Sequence, residues 1–237
     1  MKKILIIILL LISISETAQS QYKERTSAYN FAGIGFSLMF YTQSVMADNY
    51  PTIDFRNNNY MSKFDIYIGR RFSNIFEFEF YPSIIYNRSN SRPGFNFYDK
   101  SMKTYYYYVP QNLYLFMLPL TAKLKIYPLG GNTSSLASGI FLGLGGGACY
   151  IYESYDNFIY SDPLQTSALS YKTYTATTWA SNMIFSAGFQ AGTKFSYGVE
   201  LDYRIIPLPV NGDQPLSSRM APNMNSVNLT IKILFNF

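Results

Sequence analysis

The chain has 237 residues, 48% hydrophobic, 18% aromatic and 14% charged, with one cysteine and no histidine. This composition excludes a disordered chain and a disulfide scaffold, and without histidine there is no Ser-His-Asp triad, Cys-His dyad or His-bearing zinc site. The net charge of +5 is spread along the chain without a Lys/Arg cluster, which gives nucleic acid no footing.

The first element is an address. Met1-Lys2-Lys3 is a basic start, Ile4 to Ile14 is apolar with a single Ser, and Ala18 and Ser20 are small residues at the spacing signal peptidase reads. Cleavage is expected before Gln21, giving a signal peptide at 1–20 and a mature domain at 21–237. The apolar stretch is too short to cross ~30 Å of hydrocarbon at ~1.5 Å per residue. No later stretch offers a transmembrane helix, so the exported chain is either soluble or a β-barrel.

Side chains that alternate at every residue signal strands. The pattern predicts strands near 30–41, 60–72, 75–87, 109–127, 138–152, 181–193, 196–206 and 225–237, and no helix after the signal. Most are long enough for a tilted transmembrane strand of roughly 9–11 residues. The connections 42–59, 88–108, 153–180 and 207–224 are long, and those at Ser73-Asn74, 128–137 and Lys194-Phe195 are short. Long and short alternate without exception. This is the asymmetry of an all-β, eight-stranded, antiparallel up-and-down transmembrane barrel with short periplasmic turns and long extracellular loops.

Parity then divides the faces. Phe76, Phe78, Phe80, Ile84 and Tyr86 share one face with Pro82, while Glu77, Glu79, Ser83 and Asn87 share the other. Along the last segment Val227, Leu229, Ile231, Ile233, Phe235 and Phe237 form an unbroken apolar face. The opposite face carries Gly33, Gly35, Gly69, Gly143, Gly145, Gly147, Gly188, Gly192 and Gly198. Glycine weakens a strand, so it needs a reason, and the narrow interior of a small barrel supplies one. The same face holds charges of both signs: Asp65, Glu77, Glu79, Glu200 and Asp202 with Lys63, Arg71, Lys123, Lys125, Arg204 and Lys232. A dry lumen requires such compensation, because an unpaired buried charge costs several kcal/mol. The competing architecture is a secreted, soluble, lipocalin-like binder, with apolar residues inside. Tyr41, Tyr60, Tyr86, Tyr105 to Tyr108, Tyr127, Tyr150, Tyr152 and Tyr197 fall at strand ends, where a membrane girdle is expected. Tyr105 to Tyr108 could instead stack on sugars or peptides.

The final strand ending on Phe235 and Phe237 resembles the signal read by the barrel-assembly machinery. Residues 113–128, LYLFMLPLTAKLKIYP, are similar to a strand of the outer-membrane β-barrel domain family of Bacteroidota, the PorT-like or porin family, matching it at Pro119, Leu120, Lys123 and Tyr127. Gly143 to Gly147 and the GFQAGTKF run from Gly188 also resemble that family's later strands. The resemblance implies an outer-membrane barrel, and for some members a link to secretion or gliding machinery. Pro119 removes a ladder donor, so a bulge or local break is expected there.

Chemistry is sparse. Glu77 and Glu79 could do acid/base work, but a salt-bridge network with Lys123, Lys125 or Arg204 is the stronger expectation. The Gly143–Gly147 run lacks the Lys-Ser/Thr tail of a phosphate loop. Cys149 has no activating histidine and reads as a small filler. Asp48, Asp54, Asp156 and Asp162 are scattered without metal-ligand spacing. No cofactor and no metal are expected. The expected role is non-enzymatic: a structural or assembly component in outer-membrane lipid that meets protein partners through its long loops, 153–180 above all. The alternative is a narrow channel or small-solute transporter.

Overall fold

The computed structural model describes residues 28–54, 59–60, 62–131, 136–164, 167–210 and 214–237; the expected signal at 1–20 lies outside the described residues. Its long strands are β1 (Tyr29–Tyr41), β2 (Ser62–Arg71), β3 (Phe76–Ser91), β4 (Thr104–Ile126), β5 (Ile140–Tyr160), β6 (Ala168–Gly192), β7 (Phe195–Ile205) and β8 (Ser226–Asn236). Each pairs antiparallel with the next in sequence. The ring of eight closes between β1 and β8, in register from Phe31↔Asn236 to Tyr41↔Ser226. Asn30 and Phe237 finish that seam with two reciprocal backbone hydrogen bonds of 2.9 and 2.8 Å. Within the ring, closure gives every strand a neighbour on both sides, the condition for sheet to exist in lipid.

Burial alternates along most of the barrel wall. On β7, Ser196, Gly198, Glu200, Asp202 and Arg204 point inward and Tyr197, Val199, Leu201 and Tyr203 point outward. Outward positions on β1 are Ala32, Ile34, Phe36, Leu38 and Phe40; those on β8 are Val227, Leu229, Ile231, Ile233 and Phe235. The apolar band runs from Phe76 to Tyr86 on β3 and from Ile126 back to Phe116 on β4. Ten steps of ~3.3 Å on a strand tilted by ~40° give a height of about 25 Å. Aromatic rings mark both rims. Tyr86, Tyr114 and Tyr152 touch edge to face at 5.3 and 5.5 Å, with Tyr150 against Trp179 at 5.3 Å. At the turn end Phe195 lies tilted against Phe235 at 5.3 Å, and Phe235 stacks with Phe237 at 6.1 Å.

The structure corrects the sequence reading at four places. First, residues 88–108 and 153–180 are largely strand, not loop. β3 to β6 continue past the band, a short strand Phe95–Asp99 pairs with Thr104–Tyr108, and the β5–β6 pairing runs on to Tyr160 opposite Ala168. Second, the other long connections contain short helices, α1 (Ser44–Asn49) and α2 (Ser217–Met220). Third, of the bulge or local break expected at Pro119 only the break is found, and Pro119 stays in the β4–β5 ladder opposite Cys149. It breaks the β3–β4 ladder, which skips from Pro82↔Leu120 to Ile85↔Met117, without a change of register. The bulge lies at Gln111/Tyr114, where Asn112 has φ 51°. Fourth, Tyr41, Tyr108 and Tyr127 face inward and are buried, so they are not girdle residues. The short β6–β7 turn relies on Gly192 at φ +123°, which other residues rarely adopt.

Candidate functional site

Two sites inside the barrel follow from these parities. The lower one, at the end of the short turns, is ionic. Adjacent strands β3 and β4 bring Glu77 opposite Lys125 and Glu79 opposite Lys123. Glu200 on β7 and Lys232 on β8 reach across the lumen to meet them. Lys123 pairs with Glu79 at 2.6 Å and with Glu200; Lys232 pairs with Glu200 at 2.9 Å and Glu79 at 3.4 Å. Lys125 pairs with Glu77 at 2.9 Å and with Glu79. The carboxylates are thus shared among three ammonium groups, and every member is buried. Burying ions costs several kcal/mol each, and only mutual pairing with further hydrogen bonds offsets it.

Neighbours supply those bonds. The Tyr127 hydroxyl donates to Glu77 at 3.0 Å. Arg71 sits 4.0 Å from Glu77, stacks 3.8 Å from the Tyr127 ring centre, and donates to the turn carbonyls of Ser73 and Asn74. Lys63 pairs with Asp65 at 3.2 Å, and Asp65 accepts from Ser37, Tyr67 and Ser83. The glycines make room for the lysine stems. A Cβ at Gly198 would lie 2.9 Å from Lys232 Cε, and one at Gly145 would lie 2.9 Å from Lys123 Cβ. Two expected members stand apart. Asp202 accepts from Asn228 at 2.6 Å, and the buried Arg204 guanidinium has no hydrogen-bond partner among the described residues. Phe235 and Phe237 lie outside the lumen on the lipid side, both exposed.

The upper site is apolar. Inward Met39, Ile85, Leu113, Leu115, Met117, Cys149, Ile151 and Tyr155 meet Met46 and Tyr50 of the first long connection and Leu208, Leu216, Ala221 and Met224 of the last. These residues form a plug at the mouth opposite the short turns. Cys149 lies within it as a filler. One polar group lies at its centre. Glu153 accepts the Tyr50 hydroxyl at 2.7 Å and the backbone N–H groups of Ser217 and Ser218 at 3.0 and 2.7 Å. α2 has no capping side chain of its own, so a carboxylate from the barrel wall satisfies the N–H groups its first turn leaves open. Sequence reasoning missed Glu153. Its parity was visible, since 149, 151 and 153 continue the inward face, but the charged residues beyond 152 read as loop.

Beyond the plug the extended strands stand as a sheet. Asp156 on β5 ties it together, accepting from Asn112 on β4 at 2.9 Å and from Thr173 on β6 at 2.6 Å. Partial burial opposes ionisation of Asp156, but these bonds and one from Tyr171 outweigh it and hold its carboxyl below the ordinary range. A shallow cleft of about 190 Å³ on this sheet is lined by Asp99, Met102, Tyr106, Tyr108, Ile159, Leu169 and Ser170. Of the stacking candidates, Tyr105 is exposed, Tyr106 and Tyr107 are half-buried, and Tyr108 packs against Phe97 and Tyr174. Among the described residues no three Cys, Asp or Glu side chains converge as metal ligands.

No protein-family model matches the chain, and no curated protein does. Among solved structures it is similar to Ail, the attachment invasion locus protein of Yersinia pestis, at 10% identity and TM-score 0.41, covering 90% of this chain and 100% of that one. Neisserial surface protein A matches at 11% identity and TM-score 0.40, over 90% and 98%. The outer membrane protein OprG from Pseudomonas aeruginosa matches at 10% identity and TM-score 0.39, over 92% and 99%. The closed ring of pairings defines the fold independently of these matches. An apolar band about 25 Å tall around a charge-filled, closed barrel is the outer-membrane arrangement. The chain is an outer-membrane β-barrel.

Proposed function

We propose that this protein is a non-enzymatic membrane anchor that holds a rigid extracellular sheet where partners can reach it. The observation that carries the reading is the continuation of β4, β5 and β6 past the apolar band as paired strand, above a lumen filled at both levels. A barrel built to conduct would not fill its lumen with shared ion pairs and then cover the mouth with two loops. The ionic cluster serves in this reading as the structural core, with Asp65, Arg71, Glu77, Glu79, Lys123, Lys125, Glu200 and Lys232 as its members and Asp202 and Arg204 beside it. Residues 1–20 act as the export signal, and the strand ending in Phe235 and Phe237 is the segment read during barrel assembly. The resemblance to PorT-like proteins points the same way, toward an assembly or secretion-associated component.

The experiment is an epitope inserted after Leu164, at the tip of the β5–β6 hairpin, where the side chain is 84% exposed. Antibody should bind it on intact cells, and purified protein should show no conductance in planar bilayers. An epitope reached only after permeabilisation overturns the orientation, and steady single-channel currents overturn the anchor reading in favour of a narrow channel.

A further inference from the structure

The extracellular sheet has an open side. β6 pairs with β7 only from Met183 to Gly192, whereas its pairing with β5 runs on to Ala168. From 168 to 182 no described strand lies on the β7 side of β6. One contact fixes which main-chain groups face that side. The Arg219 guanidinium donates to the Thr177 carbonyl at 3.3 Å, so this carbonyl points away from β5. In an antiparallel ladder the N–H and C=O of one residue point the same way, and successive residues alternate. The groups of Tyr171, Thr173 and Thr175 therefore also point to the open side, while those of Lys172, Tyr174 and Ala176 serve β5. The alternation is intact here, because the β5–β6 register shifts only at Ile159/Tyr160, near the tip.

Proteins ordinarily blunt such an edge with proline, charge, a bulge or shortness. The stretch 168–181, ALSYKTYTATTWAS, has no proline and a single charged residue, Lys172. The sheet's opposite edge, Phe95–Asp99, is five residues long and ends in an acid. The β6 edge is thus long, rich in strand-forming Thr and Tyr, and unprotected.

We propose that β6, over 170–176, takes up an extended segment of an extracellular polypeptide as an added antiparallel strand. This rests on the reading that the sheet lies outside the cell. A row of free N–H and C=O groups is matched by another extended backbone. The charged side chains along the edge, Lys172 and Arg219, are both basic, so the matching strand is neutral to acidic. Copies of this chain in one membrane all point β6 the same way. They meet along this edge only in parallel, the less stable ladder, so a second copy is not the occupant. The strand β5 shows what fits: residues 151–160, IYESYDNFIY, already pair antiparallel with β6 and carry Glu153 and Asp156.

The test uses the full chain in lipid nanodiscs and a fluorescent synthetic peptide of sequence IYESYDNFIY. Binding should saturate and weaken at least tenfold in Thr175→Pro, which deletes one open-side donor and spares the β5 ladder. A fully N-methylated peptide should fail on the unaltered protein, a result that stands even if the proline variant does not fold. Equal binding by Thr175→Pro, or retained binding of the N-methylated peptide, overturns the proposal. So does an absence of binding while the epitope after Leu164 is accessible on cells, which leaves the anchor reading intact. An inaccessible epitope overturns both. Crosslinking of Thr175→Cys protomers to each other in place of peptide binding overturns the choice of occupant.

Discussion

The two levels of the lumen fill the same narrow barrel with opposite chemistry. The lower level is built from the strands and the short turns that join them, and its ions pair with one another across the lumen. The upper level uses apolar wall residues that have no counterpart on the barrel and must be covered by α1 and the 206–224 connection. The ionic level is therefore complete as soon as the barrel closes. The plug is complete only when two remote segments dock, and one carboxylate, Glu153, holds both of them. The lesson is that the first can be damaged only by unfolding the barrel, while the second can open with the barrel intact.

Removing the hub of the lower level should have the largest effect. Glu79→Leu leaves Lys123, Lys125 and Lys232 sharing fewer carboxylates in a dry lumen, at a cost of about 3–5 kcal/mol. Urea unfolding in lipid vesicles measures it, and a loss below about 1 kcal/mol would show that the network is not structural. Glu153→Gln should separate the two levels. It keeps the volume but weakens three hydrogen bonds, for about 1–3 kcal/mol felt locally. Hydrogen exchange should quicken in 42–52 and 206–224, with the unfolding midpoint of the barrel unchanged. If the midpoint falls as far as in Glu79→Leu, the levels are one cooperative unit.

The smallest effect lies at the sheet above both. Asp156 has a depressed folded-state value, so its stabilisation is present above the ordinary carboxyl range and is lost as pH falls through the folded value. Proteolysis of the β5–β6 hairpin should rise as pH is lowered through that window, and Asp156→Asn should flatten the dependence. An unchanged acid profile in that variant would remove Asp156 as the tie across β4, β5 and β6.

The sequence by itself determined the number of barrel strands, their inward and outward faces, and the charged residues of the lumen. Period-2 alternation is a local property, and in lipid each position must be apolar or hidden, so the pattern of Phe76 to Tyr86 or Val227 to Phe237 is legible without a structure. The same logic placed Glu79, Lys123 and Lys232 on inward faces but said nothing about which touched which. That depends on the stagger of strands far apart in the chain, as in the Lys232–Glu79 pair. The ends of the long strands were illegible for a related reason. Above the band the outer face meets water, so Ser154, Asp156 and Thr173 are polar where lipid would have required apolar residues, and the strands read as loops. Tertiary structure alone decided the plug, because α1 and α2 are too short to show a helical period and Met46, Leu216 and Met224 acquire their meaning only against the wall they cover. It also decided the open β6 edge: β7 stops at Ile205 while β5 continues, so one strand is paired on a single side.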